Sequence, residues 1–102
     1  MIVREYPDGT VDLYAQIRCY YASPSRVTAT LNFPVSYISK PCVFVTPEQT
    51  DNAAANRGLS CRYRLIGDPP YTSVEVNVTD TNQIFGNNWA KDASVHVVGK
   101  VR

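Results

Sequence analysis

Residues 10–21 read Thr10-Val11-Asp12-Leu13-Tyr14-Ala15-Gln16-Ile17-Arg18-Cys19-Tyr20-Tyr21, and this stretch decides the fold. Val11, Leu13, Ala15, Ile17, Cys19 and Tyr21 fall on one phase of a period-two pattern; Thr10, Asp12, Tyr14, Gln16, Arg18 and Tyr20 fall on the other. Successive side chains of a strand point to opposite faces, so this alternation marks a strand buried on one side. The run is about twice the usual strand length of roughly 5–6 residues. Such a strand should cross its whole sheet and set the register of its neighbours. Just before it, Tyr6-Pro7-Asp8-Gly9 has the chemistry of a turn. Proline presets φ, aspartate tolerates the second corner and glycine takes a positive φ. Residues 2–21 therefore read as a long β-hairpin arm.

Working outward, residues 22–25 form a short turn and residues 26–33 alternate again. Val27, Ala29, Leu31 and Phe33 should face inward, and Pro34, which has no ladder donor, should end the strand or place it at an edge. Residues 35–41 read as a connector, with Tyr37 and Ile38 packed over one end of the core. Residues 42–46 are nearly all apolar, as expected of a strand buried on both faces. Residues 59–65 alternate with Leu59, Cys61, Tyr63 and Leu65 inward and Ser60, Arg62 and Arg64 outward. After the turn Gly67-Asp68-Pro69-Pro70, residues 73–79 set Val74, Val76 and Val78 against Ser73, Glu75, Asn77 and Thr79. These two segments should pair as a hairpin that brings Arg62 or Arg64 near Glu75. Residues 93–101 supply the last strand, with Ala93, Val95 and Val97 on one side. The pattern predicts an all-β chain, an antiparallel β-sandwich of six to seven strands with no long helix, in a single domain over residues 1–102.

Composition narrows the function classes. A net charge of +1 argues against general attraction to nucleic acid or an anionic membrane. No apolar run approaches the roughly 20 residues that span a bilayer as a helix, so no membrane insertion is expected. The first residues lack the shape of a secretory signal. Met1 followed at once by a strand suggests a domain cut from a longer chain. Cys19, Cys42 and Cys61 cannot all pair with one another; Cys19 and Cys61 read as buried free thiols, with a disulfide between them as the alternative. With no Cys-x-x-Cys spacing and His96 as the single histidine, no metal site or cofactor is expected.

Catalytic patterns are missing from the sequence, which has no Gly-x-Ser-x-Gly, no phosphate-cradling glycine loop and no His-Glu-x-x-His. No catalytic residue is assigned and the chain is not read as an enzyme. His96 lies on the outward phase of its strand, where a solvated histidine is the simplest reading; copies meeting at a threefold axis could instead hold a metal or anion. Asp80 and Asp92 flank a long loop as Asx corners, or as calcium ligands.

Two features read as interaction surface. Tyr14, Arg18 and Tyr20 on the outer face of the arm are residue types enriched where subunits meet. Asn87-Asn88-Trp89, in the long segment between the last two strands, combines an aromatic ring with amides, as a sugar site does. The alternative folds Trp89 back on Phe85 as a lid over the sandwich end. Tyr71 and Arg57 join Trp89, Asn87 and Asn88 as candidate ligand contacts, Arg57 from the longest polar segment, residues 47–58. Loops this long are usually functional or disordered.

Three motifs, in this order, resemble the C-terminal tip domains of bacteriophage tail fibres. They are Arg4-Glu5-Tyr6-Pro7-Asp8-Gly9-Thr10-Val11, Val27-Thr28-Ala29-Thr30-Leu31-Asn32-Phe33-Pro34-Val35 and Val95-His96-Val97-Val98-Gly99-Lys100. Where that family often carries Trp-Gly after the turn, this chain has Leu13-Tyr14. The resemblance implies a homotrimeric receptor-binding head on the virion, made in the host cytoplasm and without catalytic activity. Its expected partner is a polysaccharide or protein of the host cell surface. A purely structural trimerisation or capping domain at the fibre end is the alternative.

Overall fold

The computed structural model describes residues 1–48, 59–80 and 90–102. Its strands are β1 (Ile2–Glu5), β2 (Thr10–Ser23), β3 (Arg26–Tyr37), β4 (Cys42–Pro47), β5 (Leu59–Leu65), β6 (Tyr71–Asp80) and β7 (Ala90–Lys100). All pairings are antiparallel, in a 7-stranded sheet ordered β4-β7-β2-β3-β6-β5, with β1 added beside β2. No helix is present among the described residues. The chain is an all-β fold of the sandwich or barrel class, as the alternation predicts.

One strand divides the sheet into two layers. One edge of β2 pairs with β7 from Thr10 to Tyr20. Its other edge takes β1 at Val11 to Tyr14 and meets β3 at Tyr20, Tyr21 and Ser23, through a bulge. Beyond that corner β3 leaves β2 and pairs with β6. The layer β1-β2-β7-β4 thus folds over the layer β3-β6-β5, and β4 and β5 approach each other at the far margin, so the sheet nearly closes.

Between the layers lie Val11, Leu13, Val27, Val74, Val76, Val78, Val95 and Val97, each at most 2% exposed. β-branched side chains fill pleated surfaces with little loss of rotamer freedom, which suits this valine-rich core. All three cysteines are free. Burial pushes the Cys19 thiol up to about 11 and raises Cys61 as well, so both pack as neutral apolar groups.

Three local expectations need correction. β4 is not buried on both faces: it stands at the margin beside β7 alone, and Phe44 is 58% exposed. Tyr63 is in phase with the core yet 47% exposed, because β5 is the opposite margin and lacks a covering neighbour. β3 continues through Pro34 to Tyr37, with a register shift between Asn32 and Tyr37. That shift buries Tyr37 completely and leaves Ile38 exposed.

Tyr37 closes one end of the core. Its hydroxyl donates to the Val11 carbonyl at 3.2 Å, and its ring meets Phe33 edge-on with centroids 5.3 Å apart. Burial pushes its phenol up to about 12, so it remains a neutral donor. Gly99 makes the fit possible: a Cβ there would lie 2.7 Å from the Tyr37 ring and 2.9 Å from the Pro41 side chain. Gly99→Ala should therefore cost about 1–3 kcal/mol, the usual price of overpacking. Urea unfolding should show a lower midpoint with an unchanged slope; an unaltered midpoint would mean that Tyr37 is not seated against Gly99.

Candidate functional site

Strand registers divide the molecule into two unlike poles. Tyr20 pairs with Ala90, Ser23 with Arg26, Arg26 with Thr79, Leu59 with Asp80, and Pro47 with Ala93. The β2–β3 turn, residues 48–58 and residues 81–89 therefore all leave the strands at one pole. The opposite pole carries the Tyr6 to Gly9 turn, the β3–β4 connection and the β5–β6 turn. There Gly9 has φ 88°, Val101 N–H donates to the Gly9 carbonyl at 2.8 Å, and Tyr37 seals the core.

The loop-bearing pole is polar. Asp80 and Lys91 continue the inward phases of β6 and β7 there and are 1% and 7% exposed. Asp80 also bounds a cavity of about 320 Å³ lined by Ser25, Arg26, Ser60, Arg62 and Thr79, among others. Ser60 Oγ and Thr79 Oγ1 lie 2.7 Å apart, and the Asp80 amide donates to the Ser25 carbonyl at 2.9 Å.

Arg57, Asn87, Asn88 and Trp89 lie outside the described residues, but the strands that flank their segments all end at this pole. Tyr71 is not among them: it pairs with Tyr37 at the sealed pole and is 6% exposed. Strand parity carries this distinction, since successive connections of an up-and-down antiparallel chain alternate between ends. Arg62, Ser60 and Thr79 were missed by the motif reading, and Asp80 was singled out only as a loop corner or calcium ligand. Asp80 and Lys91 could have been found as charges falling on an apolar phase.

The outer faces of the two layers also differ. On β1-β2-β7-β4 the register aligns Ile2, Tyr14, His96 and Phe44 in one transverse row. Tyr14 stacks on His96 with centroids 4.1 Å apart and planes within 11°, and Phe44 lies 5.6 Å from His96 on the β4 side. Ile2 and Phe44 are 62% and 58% exposed. His96 is thus not a freely solvated strand histidine. Its Nε2 is shielded and has no hydrogen-bond partner among the described residues. Because Tyr14 and His96 cover each other's faces, the row offers a sugar ring no broad platform; it suits packing against another protein surface. On β3-β6-β5 the outer face is instead built from Thr28, Thr30, Asn32, Glu75, Asn77 and arginines, with Arg64 Nε donating to Glu75 at 3.0 Å.

The expected contact residues Tyr14, Arg18 and Tyr20 are all exposed on the aromatic face. Arg18 is already engaged, its Nε donating to Asp92 at 2.9 Å. Of the two expected calcium ligands, Asp92 is committed to this pair, and no metal-binding group is found among the described residues. The Arg18 guanidinium holds the Asp92 carboxyl below its usual range. A lowered folded-state value stabilises above the unfolded value of about 3.9, and that contribution is lost as pH falls through the folded value. Asp92→Asn should therefore flatten the acid side of the stability curve below about pH 4, measured by urea unfolding across an acid series; identical curves would show that the pair contributes nothing. The chain was compared with protein-family models, with curated proteins and with solved structures, and no match was found.

Proposed function

We propose that this chain is the receptor-binding tip of a bacteriophage tail fibre, trimeric, attaching to a host surface saccharide or outer-membrane component. The single observation that carries the reading is the loop-bearing pole. The strands that flank both long segments end there, at buried Asp80 and Lys91 and an open polar cavity, while the other end is sealed by Tyr37. Rigid strands holding variable loops at one end is how binding sites are commonly presented. The proposed contacts Trp89, Asn87, Asn88 and Arg57 belong to the segments that join strands at this pole.

Assembly uses the row Ile2, Tyr14, His96 and Phe44. An apolar stripe across exposed strands marks a contact surface, and the shielded His96 Nε2 gains a partner when a second copy covers it. This row taken alone favours a second reading, a purely structural trimerisation or capping domain.

Two measurements separate the readings. In light scattering the chain should run as a trimer, and Phe44→Ser should shift it toward the 11.4 kDa of one chain; a monomeric wild type sinks the assembly face. Trp89→Ala should keep fold and mass while weakening adsorption to a responsive bacterial strain roughly tenfold or more. Undiminished adsorption would leave the structural reading in its place.

A further inference from the structure

We propose that the cavity at the loop-bearing pole seats one residue of an acidic saccharide, with Arg62 taking the sugar carboxylate and Ser60 and Thr79 its ring hydroxyls. The proposal deepens the receptor-binding reading and rests on it.

The lining chemistry selects the class. Arg26, Arg62, Ser25, Ser60, Thr79 and Asp80 offer guanidinium and hydroxyl groups, a buried carboxylate and no large apolar side chain. That set suits a ligand dense in hydroxyls and poor in hydrocarbon. At about 320 Å³ the space lies at the small end of the roughly 300–1,000 Å³ that ligand sites occupy. It therefore accommodates a single sugar unit, with the rest of a chain running out of the cavity mouth.

Arg62 supplies the preference for an acid. Arg18 is held by Asp92, Arg64 by Glu75, and Arg102 by the Pro7 carbonyl; Arg26 reaches Asn77 at 3.4 Å and Glu75 at 3.9 Å. Among the described residues, Arg4 and Arg62 are the arginines with no hydrogen bond or ion pair to another described residue. Arg4 belongs to the aromatic layer, paired with Asp12 in register, whereas Arg62 lines the cavity. A planar guanidinium with uncommitted donors matches a carboxylate in a bidentate fork.

The hydroxyl partners are already positioned. Ser60 and Thr79 face each other across β5 and β6, and their 2.7 Å contact fixes both side chains. Each hydroxyl keeps further donor or acceptor capacity for a ligand. Asp80 enters from the inward phase of β6, on the other side of the sheet edge from Arg62. At 1% exposed it bounds the cavity without offering the sugar an oxygen. The site thus sets an uncommitted guanidinium beside a fixed pair of hydroxyls, which orients a sugar acid and leaves a simple anion poorly held.

The test is titration calorimetry of the intact chain with a galacturonate oligomer, the matching neutral galactose oligomer and sodium acetate. The wild type should bind the uronate, bind the neutral oligomer more weakly by about tenfold or more, and show no saturable acetate binding. Arg62→Gln should lose the uronate by about ten- to a hundred-fold, the span for hydrogen bonds to a charged partner. Ser60→Ala should weaken both oligomers, and Arg4→Gln, removing an equally uncommitted arginine outside the cavity, should bind as wild type. Equal affinity for the two oligomers, acetate competing as well as uronate, or Arg62→Gln binding like wild type each overturns the proposal. Adsorption to bacterial cells separates this failure from a wider one. Cells bound equally by wild type and Arg62→Gln place the contact elsewhere and leave the receptor-binding reading standing. A wild type that binds neither cells nor either oligomer removes both.

Discussion

β2 has two edges, and the fold follows from their unequal use. One edge is spent on β7 over the length of the ladder, which commits the outer layer to β1-β2-β7-β4. The other edge accepts β1 first and β3 only from Tyr20 onward, so β3 must leave and build the second layer with β6 and β5. Slipping β2 by one residue would turn Leu13 and Val11 to solvent and drive Tyr14 and Arg18 into the core. That penalty couples the register of every neighbouring strand to the alternation along β2. It also fixes which side chains line up on the outer face, because Ile2, His96 and Phe44 reach Tyr14 only in this register.

Much of this was legible because period-two alternation is a local signal. Each residue of β2, β3 and β6 declares its face without reference to distant contacts, and the valines at 74, 76 and 78 are buried as their phase requires. Exposure at the margins was less legible. Cys42, Val43, Phe44 and Val45 look like a doubly buried strand because an apolar run cannot reveal whether a neighbour covers its second face. Here Phe44 finds its apolar contact in a cross-strand ring instead of in the core. Tyr37 was placed in the core correctly, but the bulge that puts it there depends on how Pro34 passes β6, which no local pattern encodes.

The candidate site was legible by parity more than by motif. The chain alternates direction at every connection, so the two long polar segments had to emerge at the same end as the β2–β3 turn, and Tyr71, following the β5–β6 turn, at the other. Grouping Tyr71 with Trp89 overlooked that count. The polar cavity escaped a search for motifs because its members are scattered over β2, β3, β5, β6 and a turn. Arg62 looks like any outward arginine until its neighbours are known; Arg64, two residues on, is neutralised by Glu75 while Arg62 lies opposite Asn77.

Separating an apolar face from a polar pole has a geometric consequence. A contact surface on the broad face of β1-β2-β7-β4 lies along the strands, whereas the cavity and long segments lie at their ends. Copies packed through the broad face would therefore keep every pole open, all aimed the same way when the symmetry axis runs along the strands. Weak sites repeated on one rigid tip gain avidity by roughly 10²–10⁴ when the target presents matching repeats, as a polysaccharide does. A modest, shallow cavity is then sufficient, and a deep pocket cut into so small a core would sacrifice the valine packing that holds the two layers together. Near-neutral charge fits the same division. Without a strong overall field, discrimination in the proposed receptor site would fall to the few groups placed at the pole, an uncommitted guanidinium beside fixed hydroxyls.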